Sequence, residues 1–252
     1  MAELTEVKAY LHDLLQIDAT PDYPPSHNGL QLTNEGFVGK IGSAVDACLP
    51  VIQKAVDAEV DFLVVHHGLF WSGVQAIEGA LYKKLKVAME HNLAIYSAHI
   101  PLDVHDVFGN NVCLAAALGL EETKPFFPWK GILLGRRASV SGLTRTGLLE
   151  QLRAVLRGPV HCAPGGSGEI REIGIITGGA GSEVAAMAKL GIDTFITGEG
   201  PHHTYALAEE VGVNLIYAGH YATETFGVKA LAAHLSERYD SPHVFIDHPS
   251  GL

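Results

Sequence analysis

The sequence predicts an α/β protein: two related three-layer units, each with a mainly parallel sheet, and a metal site at the carboxyl-terminal strand ends between them. Three observations predict it. Short β-branched runs alternate with segments of helical period. Blocks of sequence recur at a fixed offset. Histidines gather directly after strands, where open α/β sheets bind their ligands. The 252 residues, 47% hydrophobic and 18% charged, are long enough for one or two domains with a buried core and too apolar for disorder.

The opening segment is an amphipathic helix, with Leu4, Val7, Leu11, Leu14 and Leu15 on one face. DATPDYPPSHNG, residues 18–29, gathers turn formers into a loop. Strands follow at 41–46 and 62–65, joined by a helix with Pro50 in its first turn and Val51, Ile52, Ala55 and Val56 inward. A second helix over 81–91, with Leu81, Leu85, Ala88 and Met89 inward, leads to a strand at 93–97. PFFPW, residues 125–129, reads as a linker whose aromatics pack at a domain seam. The next stretch offers a strand at 137–141, a helix with Leu148, Leu149, Leu152, Val155 and Leu156 inward, and a short strand at 160–162. Then come a strand at 173–177, a GGAGS turn with Ser182 as N-cap, a helix over 183–190, a strand at 194–197, a helix over 203–211 and a strand at 214–217. The expected units are residues 1–125 and 126–252.

Lys40-Ile41-Gly42 returns 132 positions later as Glu172-Ile173-Gly174, and Asp61-Phe62-Leu63-Val64 returns at the same offset as Asp193-Thr194-Phe195-Ile196. An offset of 121 then superposes His99 on His220 and Asp103 on Glu224, which 11 extra residues between Gly68 and Leu81 explain. Phe108-Gly109 and Phe226-Gly227 each open a helix with an LAAxL pattern. Any two parallel α/β segments share Val, Ile, Gly and Ala. They do not for that reason share two His-x-x-x-acid pairs.

Lys and Arg total 17 against 28 Asp and Glu, a formal charge of −11. Such a surface repels polyphosphates at long range and argues against nucleic-acid binding. A bound cation reverses that sign locally, so a small anionic substrate stays open. No apolar run reaches the ~18–20 residues of a membrane span, and the acidic start is unlike a secretory signal. Three scattered cysteines without a CxxC favour a reduced, cytoplasmic setting.

The 14 histidines are about twice ordinary usage. His66-His67-Gly68 follows the strand FLVV. Adjacent residues of a continuing strand face opposite ways, so the two rings are expected to converge by the strand ending there. His99 and Asp103 follow another strand, and Pro101 argues against a helical i,i+4 pair. His220 and Glu224 follow a third, with Thr223 as a helix cap and Glu224 in its first turn. Imidazoles with carboxylates and no thiolate suit Zn, Fe, Mn, Ni or Co. Four histidines and two carboxylates exceed the three protein ligands of a catalytic zinc and fit two divalent cations sharing a carboxylate. A lone histidine is more often a satisfied core or cap residue; the argument rests on the set. Gly178–Ser182 could cradle a phosphate, but it lacks GxGxxG and a Walker lysine, which favours a plain turn. His202 and His203 read as pocket groups or as a solvent face. Trp71 and Tyr221 read as pocket walls or as core. His105, His161, His243 and His248 join no constellation, and nothing supports covalent nucleophilic catalysis.

At HNGLQL (27–32), VVHHGLFWSG (64–73), HIPLDVHDVFGNN (99–111), ITGEG (196–200) and AGHYATE (218–224), the chain resembles the Nif-three-like family. Members of that family carry the names GTP cyclohydrolase I type 2 and dinuclear metal centre protein. The chain is similar to its short bacterial form. The resemblance implies a two-metal site with His66, His67, Asp103, His220 and Glu224 as ligands and His99 close by. Glu224 would be shared, with His67 and Asp103 on one ion and His66 and His220 on the other. It also implies a homohexamer with sites facing an internal cavity. Glu199 stands where many relatives have Asp. The expected activity is metal-dependent hydrolysis of a small nucleotide-like or heterocyclic substrate, with His99 or His203 shuttling protons. A two-metal phosphoesterase and a non-catalytic metal-binding scaffold are the rival readings.

Overall fold

The structure, a computed structural model, describes residues 1–71 and 75–252. Its first unit comprises Met1–Phe108 with Gly227–His248, and its second Gly109–Phe226 with Pro249–Leu252. In place of a single cut after residue 125, the chain therefore changes unit at both of the repeated Phe-Gly pairs.

The first unit runs β1 (Ala2–Glu3), α1 (Leu4–Leu14), β2 (Gly29–Leu32), β3 (Phe37–Val38), β4 (Ile41–Asp46), α2 (Leu49–Asp57), β5 (Phe62–His67), α3 (Gly79–Glu90), β6 (Ala94–Ser97) and α4 (Ile100–Asp103). The second runs α5 (Asn110–Ala117), β7 (Lys124–Trp129), β8 (Ile132–Thr144), α6 (Arg145–Leu156), β9 (His161–Pro164), β10 (Glu169–Ile175), α7 (Val184–Lys189), β11 (Thr194–Thr197), α8 (His203–Val211) and β12 (Asn214–Tyr217). It also holds the start of α9 (His220–Tyr239), whose later turns belong to the first unit together with β13 (His243–Phe245).

The first unit's main sheet has the order β13-β4-β5-β6-β2, parallel except for β2. Alternate residues of its buried strands divide between two cores, which makes three layers. Phe62, Val64, Ala94 and Tyr96 pack with α1 and the later turns of α9, through Val7, Leu11, Val228 and Leu231. Leu63, Val65 and Ile95 pack with α2 and α3, through Val51, Ile52, Leu85 and Ala88. Pro50 lies in the first turn of α2, where its missing N–H costs nothing.

The second unit repeats the scheme in a sheet of order β7-β8-β10-β11-β12-β9, whose centre β10-β11-β12 is parallel. Ile173, Ile196 and Ile216 meet α5 and α6 through Leu114, Ala115, Leu148 and Leu152. Phe195 and Leu215 meet α7 and α8 through Val184, Met187 and Ala208. The repeat reaches individual hydrogen bonds. The Asp61 carboxylate accepts the Gly39 and Lys40 N–H groups, and the Asp193 carboxylate accepts those of Arg171 and Glu172, each residue 132 positions on.

Several local expectations are corrected. PFFPW is not a linker but most of β7, antiparallel to β8; its two prolines are tolerated because β7 is an edge strand. Ser182 caps nothing, since it sits inside a 3₁₀ turn, Gly181–Glu183, that leads into α7. β2 and β13 carried too little pattern to be anticipated.

Candidate metal centre

β5 does not end before its histidines. It runs through both, and the last register pair of β4 and β5 sets His67 opposite Asp46. The His66 and His67 ring centroids nevertheless lie 4.8 Å apart, and His99 stacks obliquely at 4.9 Å from His66 and 5.6 Å from His67. One ring nitrogen from each of the three lies within 4.8 Å of the others, so this group could hold a metal ion.

His99 is the N-cap residue of α4, and the Asp103 N–H donates to its carbonyl at 3.1 Å. His99 and Asp103 are thus an i,i+4 pair across one helical turn. Pro101 does not prevent this, because it sits in the first turn, where a helix leaves its N–H groups unbonded anyway. The turn brings Asp103 Oδ2, buried, to 3.5 Å from His66 Nε2.

In each of these histidines Nδ1 meets an acceptor. His66 Nδ1 donates to the Ala98 carbonyl at 3.0 Å, His67 Nδ1 to Asp46 Oδ1 at 2.8 Å and His99 Nδ1 to Asp22 Oδ1 at 2.9 Å. Donation at Nδ1 leaves the Nε2 lone pair of a neutral imidazole for a cation or a proton. Trp71 donates its indole N–H to the Gly68 carbonyl and stands edge-on to His99 at 4.9 Å, as a wall of the site. The rest of that motif, Ser72 and Gly73, lies outside the described residues. Burial works to raise the Asp22 pKa, but hydrogen bonds from His99, Asn28 and Tyr23 hold it below the usual carboxylate value.

The second unit builds the same arrangement at the start of α9. His220 Nδ1 donates to Glu199 Oε1 at 2.8 Å, and Nε2 lies 3.2 Å from Glu224 Oε1, one helical turn on. Thr223 is not a cap: it lies inside α9, donates to the His220 carbonyl and accepts the Gly178 N–H. The GGAGS turn runs close against Glu224. Gly178 has φ +72, and a Cβ there would collide with Glu224 Oε1. Burial lowers the His220 pKa, but the hydrogen bonds and charges of Glu224 and Glu199 outweigh it and raise the value to about 9. Two carboxylates that stabilise positive charge at one imidazole suit a divalent cation at the same place.

The donor set fits the expected metals: imidazole and carboxylate without thiolate, with Nδ1 engaged in all four rings. His203 opens α8, exposed, where with His202, Tyr205 and Glu210 it lines a cavity of about 470 Å³. Tyr221 is buried, and its N–H donates to the Leu252 carbonyl. Burial raises the pKa of the Cys113 and Cys162 thiols. Sequence reasoning missed Asp22 and Asp46, and met Glu199 only as a departure from a pattern.

The family model described as Duf34/NIF3 (NGG1p interacting factor 3) matches residues 2–250. A Deinococcus radiodurans protein named GTP cyclohydrolase 1 type 2 homolog is 38% identical over 248 residues, covering 98% of this chain and 94% of the relative. One of the same name from Pyrococcus abyssi is 39% identical, covering 99% and 100%. Among solved structures, a Thermus thermophilus protein superposes with a TM-score of 0.90 at 39% identity, over 100% of both chains. Reduced HcgD from Methanocaldococcus jannaschii does so at 0.86 and 29%, over 98% of both.

Proposed function

The chain belongs to the Duf34/NIF3 family, and from that premise we propose that it is a dinuclear metal-dependent hydrolase of a small nucleotide-like or heterocyclic substrate, cyclohydrolase-like in chemistry. The observation that carries this reading is the gathering of imidazole and carboxylate donors: ring nitrogens of His66, His67 and His99 lie within 4.8 Å of one another, Asp103 Oδ2 is 3.5 Å from His66 Nε2, and Glu224 Oε1 is 3.2 Å from His220 Nε2. In the proposal His66, His67, Asp103, His220 and Glu224 would hold two divalent ions, drawn from Zn, Fe, Mn, Ni and Co, with Glu224 as the shared ligand. When bound, such ions supply Lewis acidity and make water more acidic.

The chain's own residues do the rest. Trp71, T-shaped to His67 and His99, would form one wall against a bound substrate. His99, in the role proposed for it, takes a proton at Nε2 while Asp22 keeps its Nδ1 proton in place. His203 is a second candidate proton carrier, set in its own cavity on α8. The Asp103 and Glu224 carboxylates, both buried, balance positive charge gathered by the imidazoles. A cytoplasmic location and a homohexamer belong to the same proposal, the second readable as a mass by light scattering.

The test is turnover by metal-loaded protein of GTP, cyclic dinucleotides and phosphomonoesters side by side. Formate release from GTP supports ring hydrolysis. Inorganic phosphate without formate replaces it with a phosphoesterase. No turnover over the whole panel, with tight capture of a protein partner, replaces it with a binding scaffold.

A further inference from the structure

Three of the four histidines lean on a carboxylate, but the carboxylates differ. Asp46 is 40% exposed and Glu199 47%, so water competes for both; Asp22 is 7% exposed. Its two oxygens collect donors from three directions. Oδ1 accepts the Tyr23 N–H at 2.6 Å and His99 Nδ1 at 2.9 Å. Oδ2 accepts the Asn28 amide at 2.8 Å, the Ile100 N–H at 3.2 Å and the Ser26 hydroxyl at 3.3 Å. Asn28 completes the clamp by accepting the His99 N–H at 2.8 Å on Oδ1. The turn-rich loop of residues 18–28 thus grips both the ring and the backbone of His99, together with the first N–H of the helical turn that presents Asp103.

We propose that Asp22 is a positioning residue that locks His99 in its Nδ1–H tautomer, so that Nε2 is the atom His99 turns to chemistry. An ionised carboxylate has no hydrogen to give, so the ring nitrogen facing it must be the donor. Backbone N–H groups occupy both carboxylate oxygens, so an amide in place of the carboxyl must set its NH₂ against a donor whichever way it turns. The carboxylates beside Nδ1 of His67 and His220 are exposed, so water competes with those rings for them. The role assigned to Nε2 rests on the proposed metal-dependent reading; the tautomer does not.

The test is long-range ¹⁵N–¹H correlation of the histidine rings in the full chain, with His99 assigned by its loss in His99→Gln. The expected result in the wild-type protein is Nδ1–H over Nε2–H by about tenfold or more, as a charge-assisted hydrogen bond supports. Asp22→Asn, checked for folding by circular dichroism, should abolish that preference at His99 and leave the His220 signals in place; Asp22→Glu should restore part of it. A wild-type His99 that is Nε2–H or evenly mixed overturns the proposal without recourse to any variant. So does an Asp22→Asn protein whose His99 keeps its preference. Zinc titration of the same samples separates the two readings. A locked His99 in a wild-type chain that takes up neither zinc nor, in parallel titrations, Fe, Mn, Ni or Co supports the positioning role and removes the metal-dependent function.

Discussion

At the scale of single residues, ligands and the groups that support them were unequally visible in the sequence. His66, His67, His99, Asp103, His220 and Glu224 could be picked out because each lies within a few positions of a strand end, and that adjacency is a sequence pattern. Asp22 and Asp46 could not, because they reach His99 and His67 from 77 and 21 positions away, and only folding creates that proximity. The proposed sharing of Glu224 predicts that Glu224→Ala loses both ions and His66→Ala mainly one, as counted by elemental analysis after metal loading. Two ions retained in Glu224→Ala end the bridging role. Gly178 makes a separate prediction. Its positive φ and its approach to Glu224 Oε1 mean that Gly178→Ala should cost about 1–3 kcal/mol in urea unfolding and lower the metal content as Glu224 is displaced. A plain solvent-facing turn would show the backbone cost alone.

At the scale of elements, period and punctuation located most helices and central strands, and failed where the rule in play depended on neighbours. Proline signalled a break at Pro101 and in β7, yet a first helical turn and a sheet edge each tolerate it, and neither position is known until partners are placed. The seam where antiparallel β8 joins parallel β10 is likewise a product of folding. There Glu172 stands opposite Ser139 and receives Arg137 Nη2 at 2.6 Å and the Ser139 hydroxyl. Its slight burial works to raise its pKa, but these two partners bring it below the ordinary 4.5. A depressed folded value means that the contribution to stability is complete above about pH 4.5 and is lost as pH falls through the folded pKa. Stability of Glu172→Gln, followed by denaturant titration from pH 6 to pH 3, should therefore fall less steeply than that of the wild type. Parallel curves would show that the cross-strand cluster contributes nothing. The exposure of the pair points to a small effect.

At the scale of the whole molecule, the internal repeat was the most legible feature, because it needs only comparison of the chain with itself. The matched Asp61 and Asp193 clamps give it a structural counterpart. The unit boundaries were not legible. Composition changes little along the chain, and the Phe-Gly pairs mark helix starts without saying which core each helix will join. Metal binding to the folded state alone predicts a global effect: ions at 100 times Kd should stabilise by about 2.7 kcal/mol. This is readable as a rise in Tm on adding zinc, reversed by a chelator and diminished in Glu224→Ala. A Tm indifferent to each of the five candidate metals and to chelator would contradict it.

The reciprocal placement of the two LAAxL helices bears on biogenesis. Leu114 and Ala115 complete the second unit's core, while Leu231 and Ala232 complete the first's. As the polypeptide leaves the ribosome, the amino-terminal unit emerges first, yet it lacks a core helix and an edge strand until Phe245 has been added. Folding of the amino-terminal unit on its own, ahead of the rest, would therefore leave its core and its sheet incomplete. Nascent chains stalled before Gly227 should remain bound to chaperones, their apolar sheet face uncovered.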